Sequence, residues 1–448
     1  MQADRSPNTL LRALLTESRW TYEKLARTVN QLGAENKIRL QYDRTAVAHW
    51  AAGTLPRPMT RALIAEAFTR RLGRLITSAD AGFKSEPHEL THMAGKTDTM
   101  ERLSALCYLE TDLAQQPTLH QFIVNDRRLP PWLSAAPPPD HEARHARRQC
   151  CPGVEKEVAL REAVGFFHLA SQFGGGHART SLAAYLGRAV VGWLGPCPSQ
   201  RVHIDLLTGA AHLAHLLACM YIDEELPGVA QRHAEIALSL AVTAGNRYAY
   251  VMVLSGMSFQ ALNAGHRKRA LYLALAATRS SPLAPPSSVR ALSHAQLARV
   301  HAAMGNRPEA MHALHIAHKE QRWVPARALT SPLDVYRYSS ADASRICGQV
   351  LAATGDPAGA ITTLRVSLGL RPPQELLARA MTLHEIGRLH LCLGQLEQAC
   401  TSWHQFLDLL PLLRSRRAVT ASAESGRLLR PHAGMQTVRS LIHRLEKR

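Results

Sequence analysis

The stretch Asp43–Pro58, which reads DRTAVAHWAAGTLPRP, is the one around which the rest of the sequence is arranged. Asp43 suits the N-cap of a helix, because its carboxylate can accept hydrogen bonds from the unpaired amides of the first turn. Gly53 ends that helix, and Pro56 and Pro58 prevent it from restarting at once. The stretch therefore predicts one short helix with a defined beginning and end.

The two faces of this helix differ in chemistry. Val47 and Trp50 are three residues apart and share one apolar face. The opposite face carries small or donor-bearing residues, namely Arg44, Thr45, Ala48 and His49. A short helix with an apolar back and a slim front fits the shape that a DNA major groove accepts.

Three further amphipathic segments surround this helix. Asn8–Glu17 (NTLLRALLTE) and the segment TYEKLARTVNQLG, which begins at Thr21, precede it. Thr60–Leu72 (TRALIAEAFTRRL) follows it and is closed by Gly73. The first part of the chain is therefore predicted to be a bundle of four short helices.

The order and spacing of these helices resemble the Cro/C1-type (Xre-like) helix-turn-helix domain. TYEKLA resembles the second helix of that family, and DRTAVAHWAAG resembles its recognition helix. The resemblance implies that Arg44, Thr45, Ala48 and His49 face base edges, where arginine is the commonest reader of guanine. It also implies that four residues lie beside phosphates and fix the register: Thr21, Arg39, Tyr42 and Arg57.

This sequence departs from the family between the second and third helices. Gly33–Tyr42 (GAENKIRLQY) is an insertion of about ten residues, which is longer than the usual connection between helices. It either adds Lys37 and Arg39 as phosphate contacts or misplaces the helices so that DNA is never read. In the second case the protein is an adaptor for other proteins with a degenerate head.

The whole chain of 448 residues is basic, with 53 Lys and Arg against 35 Asp and Glu and a formal charge of +18. Such a balance favours an anionic partner such as nucleic acid. Neither a secretory signal nor a membrane-spanning stretch is predicted, and eight scattered cysteines fit reduced thiols. We therefore predict a cytoplasmic protein without a membrane partner.

The second half of the chain repeats. Four glycines align at presumed turns: Gly265, Gly305, Gly355 and Gly394. The residue five positions after each glycine is an alanine (Ala270, Ala310, Ala360 and Ala399). The residue seven positions before each glycine is small (Ser258, Ala298, Gly348 and Gly387). Three of the four are followed seventeen residues later by a proline, and a fainter copy is centred on Glu225. This is the tetratricopeptide pattern of paired helices with a glycine turn.

These patterns predict an all-α chain in four parts. The parts are a helix-turn-helix domain (1–83), a connector with one helix over Asp98–Gln115 and a Pro-rich linker (84–152), a tetratricopeptide-like solenoid (153–411), and a basic helical tail (412–448). The first helix of each pair lines the concave side, which serves to hold a peptide or a protein partner. A homodimer formed through the repeats is also expected, because a single head contacts few base pairs.

Three motifs suggest chemistry, but in each case a structural role is favoured over the chemical one. His88–His92 reads H-E-x-x-H, yet Pro87 precedes it in a loose connector, so zinc catalysis is not favoured. His312, His315 and His318 follow a helical spacing without a carboxylate or thiolate to complete a metal site. Gly174–Arg179 (GGGHAR) opens a helix and either binds an anion or forms a hinge between helices. We therefore predict neither an enzyme nor a bound cofactor or metal.

The combination resembles the actinomycete regulators that join an Xre-like helix-turn-helix to tetratricopeptide repeats. The residues that carry this resemblance are YDRTAVAHWAAGTLPRP, GGGHART and the repeat turns. It implies a cytoplasmic transcriptional regulator that binds double-stranded DNA, of a kind that controls differentiation or secondary metabolism. The activating or repressing sense and the operator are not implied by any residue.

Overall fold

The computed structural model describes residues 7–36, 38–72, 76–83, 98–114, 116–119, 122–124, 154–195, 199–280, 287–322 and 338–446. Within these ranges the regular secondary structure is helical and no strand occurs. The predicted all-α class is confirmed for this part of the chain.

The head, which we define as the described residues from 7 to 83, contains four helices. They are α1 Thr9–Ser18, α2 Tyr22–Glu35, α3 Arg44–Ala51 and α4 Pro58–Leu72. As predicted, Asp43 caps α3, because its Oδ1 accepts a hydrogen bond from the amide of Ala46 at 2.9 Å. Gly53 follows α3 with a φ of 102°, a conformation that glycine adopts without a steric cost.

The remaining helices follow in chain order. They are α5 Thr99–Thr111, α6 Gln116–Leu119, α7 Val154–Ser171, α8 Gly175–Tyr185, α9 Gln200–Asp223, α10 Pro227–Thr243, α11 Arg247–Asn263, α12 Arg267–Ser280, α13 Ser287–Met304, α14 Arg307–Arg322, α15 Ser340–Ala353, α16 Pro357–Leu370, α17 Leu376–Cys392, α18 Leu396–Leu409, α19 Arg416–Leu429 and α20 Gln436–Glu446. The chain continues from α8 through a π-helical turn, Leu186–Val190, into a last turn, Val191–Trp193.

Helices α7 to α20 form the repeat domain. Consecutive helices pack in five pairs, α9–α10, α11–α12, α13–α14, α15–α16 and α17–α18, and each pair packs on the next. Such hairpins cannot bury their apolar faces alone, so they gain stability by stacking. The domain is a helical solenoid with tetratricopeptide-like repeats.

The turns of these pairs have the geometry that the sequence predicts. The four aligned glycines have φ values of 85°, 85°, 91° and 72° at Gly265, Gly305, Gly355 and Gly394. Between α9 and α10 the same left-handed conformation is taken by Glu225, with a φ of 57°. The alanines five residues after the glycines are completely buried. The fainter copy at Glu225 is therefore a repeat turn without its glycine.

Small residues allow the paired helices to approach closely. A β-carbon on Gly387 of α17 would lie 2.5 Å from Nε1 of Trp403 on α18. A β-carbon on Gly348 of α15 would likewise lie 2.7 Å from Cγ of Leu364 on α16. Both distances are below any normal carbon contact, so glycine is required at these positions by packing rather than by backbone conformation.

The repeat domain closes on itself, and the turn Gly174–Gly176 is where it does so. The amide of Gly176 donates to the carbonyl of Arg414 at 2.9 Å, and the amide of Arg414 donates to the carbonyl of Phe173 at 2.8 Å. A β-carbon on Gly174 would lie 2.3 Å from the Arg414 oxygen. We call this junction the closure, because it joins the start of the solenoid to the segment that follows α18.

Asp223, the last residue of α9, completes the closure. Its Oδ2 accepts a hydrogen bond from the amide of Gly175 at 2.7 Å, and its Oδ1 accepts one from the Ser415 hydroxyl at 2.9 Å. The Nε atom of Arg417 lies 3.2 Å from the same Oδ1. The predicted anion position at the start of α8 is thus filled by a carboxylate of the protein itself.

Two segments that the sequence places outside the repeats, the connector helix and the basic tail, pack against the repeat helices. Helix α5 has Leu103, Leu106 and Cys107 buried, as predicted, but it packs against α8 and α10 as part of the repeat core. The predicted basic tail forms α19 and α20, which pack against α17 and α18 and bury Val438 and Leu441. In both cases an apolar helix face is covered by the neighbouring repeats.

Helix α9 is long and apolar enough to cross a membrane by length and composition. However, 78% of its most apolar window is buried inside the protein, where it packs against α7, α8 and α10. It is a central helix of the repeat domain.

Replacing Gly387 by alanine tests the close packing of a repeat pair. The added methyl group would press against the completely buried Trp403, so we expect a loss of about 1–3 kcal/mol from overpacking. The matched control is Gly165→Ala in α7, where a β-carbon meets no atom within 4 Å and removal of glycine should add about 0.5–1 kcal/mol. Thermal unfolding of the two full-length variants checks the opposite signs, and equal shifts would contradict the packing.

Candidate functional site

Tyr42 holds the beginning of α3 in place. Its hydroxyl oxygen lies 3.0 Å from Oγ1 of Thr60, and its ring meets Trp50 edge to face with centroids 4.9 Å apart. The side chain of Asn30 on α2 pairs with the Tyr42 backbone, donating to its carbonyl at 2.7 Å and accepting from its amide at 2.8 Å. These contacts tie α2, α3 and α4 together through one residue. The half-buried Tyr42 side chain thus braces the head, and the phosphate contact that the sequence suggests for it stays a prediction.

The face of α3 that the sequence singled out lies on the surface. Arg44, Thr45 and His49 are exposed and Ala48 is half-buried, whereas Val47 on the opposite face is completely buried. The exposed side chains form no hydrogen bond or ion pair with any residue that the structure describes. This face is therefore free to contact another molecule.

The predicted flanking residues also lie at the surface. Thr21 caps α2 by accepting a hydrogen bond from the amide of Lys24 at 3.1 Å, and its side chain remains exposed. Arg39 and Arg57 are exposed, and neither is paired with a carboxylate in the described ranges. Arg39, Arg44 and Arg57 are therefore three exposed arginines of the head that have no counter-ion among the described residues.

The described part of the insertion Gly33–Tyr42 packs against α2, and the face of α3 that carries Arg44 and His49 stays exposed. The amide of Ile38 donates to the carbonyl of Gly33 at 2.8 Å. The side chain of Leu40 fills the space beside Gly33, because a β-carbon there would lie 2.6 Å from Leu40 Cδ1. Arg39 is exposed to solvent between these contacts, while Lys37 lies outside the described residues.

Glu35 is a polar link between the head and the repeat domain. Its Oε2 lies 2.8 Å from Nη1 of Arg70 on α4 and 2.9 Å from Nε2 of His266 in the turn between α11 and α12. Arg70 also donates to Glu66 at 2.7 Å and to the carbonyl of Val124 at 3.1 Å. Burial raises the pKa of Glu35, but His266 and Arg70 outweigh burial, so the net pKa is lowered and the carboxylate stays charged.

This link has no signature in the sequence. Glu35 and His266 are far apart in the chain, and neither belongs to a motif. A carboxylate at the end of a helix and a histidine in a repeat turn are both ordinary surface residues by pattern. Only the way the head sits against α11 and α12 brings them together.

Other predicted positions have structural roles or lie elsewhere. Arg179 of the GGGHAR motif binds the buried carboxylate of Glu110 at 3.0 Å, which Tyr221 also contacts through its hydroxyl at 2.9 Å. His312, His315 and His318 are exposed on α14. The described ranges contain no group of three His, Cys, Asp or Glu residues that could hold a metal ion. The H-E-x-x-H sequence His88–His92 lies outside them.

The inner side of the repeat domain surrounds a cavity of about 330 Å³. It is lined by the first helices of successive pairs, α9, α11, α13, α15 and α17, together with the closure. The tetratricopeptide pattern predicts this use of the first helices. The same pattern does not predict the arginine side chains that line the cavity.

The comparisons with known proteins concern the head and the repeats separately. Residues 11–84 match the family described as the SP15 N-terminal domain. No curated protein sequence matches the chain. The matched residues coincide with most of the head's hydrophobic core, from Leu11 to Phe83.

Among solved structures, the chain is similar to a Podosopora anserina protein described as a kinesin light chain with nearly identical TPR-like repeats. The identity is 17% and the TM-score 0.30, over 44% of this chain and 92% of the other. This likeness is too low to carry an argument. The repeat architecture rests on the turns and helix pairs described above.

Replacing Asn30 by alanine tests the brace that positions α3. The change leaves the amide and the carbonyl of Tyr42 without their partner, which costs about 1–3 kcal/mol. The neighbouring exposed residue provides the control, since Gln31→Ala should change stability by less than about 0.5 kcal/mol. Hydrogen exchange at the Tyr42 amide should accelerate in the first variant alone, and unchanged protection would show that the brace does not hold α3.

Proposed function

We propose that this protein is a sequence-specific DNA-binding transcriptional regulator whose repeat domain receives a signal or a protein partner. The repeat domain itself is a helical solenoid of the kind that mediates protein interaction. The observation that carries the DNA-binding part is the exposed and unpaired face of α3, held rigidly by Tyr42 and Asn30.

The chemistry of this face suits the reading of base edges. Arg44 can donate two hydrogen bonds to guanine, and Thr45 and His49 provide further donors and acceptors. Ala48 lies between them and is small enough for the helix to approach the bases closely. Arg39 and Arg57 supply charge for phosphates, which positions the head without specifying sequence.

The proposal includes a cytoplasmic homodimer. One head of this size contacts few base pairs, so two heads joined through their repeat domains would reach half-sites about 34 Å apart, one helical turn of DNA. The contact of Glu35 with His266 provides a route from the repeats to the head. A ligand shifts that arrangement only if it binds one arrangement more tightly than another.

The alternative is an adaptor that recruits other proteins and no DNA. Two large apolar side chains on α7 favour it, because Phe166 and Leu169 are 64% and 50% exposed. Exposed apolar groups of this size commonly mark protein contacts. Pull-down of protein partners without enrichment of DNA in chromatin precipitation would select this alternative.

Substitution of Arg44 and His49 by alanine tests the proposed DNA-binding face. In gel-shift titrations against genomic fragments at moderate salt, the double variant should lose sequence-selective binding by about 10- to 100-fold, because each base contact contributes about 1–3 kcal/mol. The variant should keep its thermal stability, since both side chains are exposed and have no partner among the described residues.

A charge-matched control separates base reading from general attraction to phosphates. Arg307→Ala/His312→Ala removes the same two residue types from the exposed surface of α14 in the repeat domain. This variant should bind DNA within about twofold of the unmodified protein, since neither residue lies on the head. Equal binding by all three proteins, or no selective binding by the unmodified protein, would remove the assignment.

A further inference from the structure

The cavity of the repeat domain is lined by apolar and by charged side chains. Its volume of about 330 Å³ falls in the range of small-molecule pockets, ~300–1,000 Å³. Met252, Phe259 and Leu292 contribute apolar surface from α11 and α13. The charged residues among the described lining are four arginines and three carboxylates.

Two of the arginines are already neutralised by these carboxylates. Arg371 binds Asp342 at 2.7 Å and Glu375 at 2.5 Å. Arg417 lies 3.2 Å from Asp223, the residue that completes the closure. All three carboxylates at the cavity are therefore engaged.

The other two arginines, Arg299 on α13 and Arg345 on α15, have no such counter-ion. Neither lies within ion-pair distance of a carboxylate in the part of the chain that the structure describes. Arg299 is held by the amide oxygen of Gln349, to which its Nη1 donates at 3.2 Å, and by Phe259, whose ring centroid lies 4.7 Å from its guanidinium carbon. The Nε atoms of both arginines are buried and make no hydrogen bond to the described residues.

The electrostatics of this pair agree with its geometry. Burial, followed by the nearby charge of Arg345, lowers the pKa of Arg299 to about 10. Burial also lowers the pKa of Arg345, although Glu385 acts in the opposite direction. Glu385 and Asp342 favour the charged form of both arginines but form no ion pair with either among the described residues, so the two buried like charges are only partly compensated and an anion between them would offset the remaining cost.

We propose that Arg299 and Arg345 bind the carboxylate of a small organic acid whose apolar body occupies the rest of the cavity. Guanidinium groups match carboxylates through paired hydrogen bonds, and Gln349 and Phe259 already fix one of them. Arg299 and Arg345 are the two lining arginines without an ion pair to a described residue, and Glu385, which accepts a hydrogen bond from Gln349 at 3.0 Å, offsets part of their charge, so the site suits a monoanion. This site does not depend on DNA binding, and it goes beyond the proposed function by naming the chemistry of a signal.

Two histidines, His168 and His215, are among the lining residues, and burial lowers the pKa of both. The pKa of His215 falls to about 4, so its ring is neutral at physiological pH. A dianion such as phosphate would also meet Asp342 and Glu375, which line the same cavity. The site therefore favours one carboxylate over a doubly charged group.

The test measures binding of defined probes to the purified full chain by calorimetry at fixed salt. The probes are octanoate, 3-phenylpropionate and the tripeptide Leu-Leu-Phe, each compared with its carboxamide, and inorganic phosphate. We expect the acids to bind and the carboxamides and phosphate to bind at least about tenfold more weakly. Binding of octanoate or 3-phenylpropionate alone identifies a free acid as the ligand, whereas binding of the tripeptide alone identifies a chain terminus as the source of the carboxylate.

Two variants and a control keep the test decisive. Arg299→Gln and Arg345→Gln should each weaken binding of the acids by about tenfold or more, whereas the exposed Arg307→Gln on α14 should not. Since Arg345 makes no hydrogen bond within the described ranges, Arg345→Gln should leave the thermal stability of the ligand-free protein equal or higher, which a structural role would not allow. Absence of binding by every acid, or equal binding of acids and carboxamides, would overturn the proposal.

Discussion

The shape of the repeat domain depends on one buried carboxylate, that of Asp223. It accepts hydrogen bonds from the start of α8 and from the segment before α19, and it lies beside Arg417. A buried carboxylate costs free energy unless its oxygens accept hydrogen bonds, and here the donors come from segments that are distant in the chain. The cost is offset only when the solenoid is closed. The cavity inside the domain is a consequence of that closure, because α7, α9 and α19 all contribute to its lining.

The parts of this fold that the sequence predicts are those fixed by neighbours along the chain. The cap at Asp43, the end of α3 at Gly53 and the repeat turns depend on hydrogen bonds or φ values within a few residues. The buried alanines and the close approach at Gly387 also follow a local helical spacing. For these features one stretch of sequence contains all the partners.

The features that the sequence does not predict join segments that are distant in the chain. The three glycines at Gly174–Gly176 form a recognisable motif, but a β-carbon on Gly174 would meet the backbone of Arg414 and one on Gly175 would meet the backbone of Met220, and both neighbours are distant in the chain. Arg299 and Arg345 resemble ordinary surface arginines until the superhelix places α13 beside α15. The hydroxyl of Tyr42, which precedes α3, has its partner Thr60 on a different helix, so no pattern near Tyr42 indicates its bracing role. In each case the packing of distant helices decides the partner, and single-sequence patterns do not contain that packing.

The two proposed sites are connected by helices that share one stack. Arg299 and Arg345 project from the first helices of adjacent pairs, and their mutual repulsion acts to separate α13 from α15. An anion between them replaces this repulsion with attraction to both, which favours a tighter stack at that point.

Helices α11 and α13 also pack together, and the turn after α11 carries His266. A change in the curvature of the stack would therefore alter the distance from His266 to Glu35, the polar link to the head. Because that link is a small charged contact, it can change at a lower cost than the apolar core that fixes α3 against Tyr42. On this argument a ligand in the cavity would change the position of the head while leaving the exposed face of α3 unchanged.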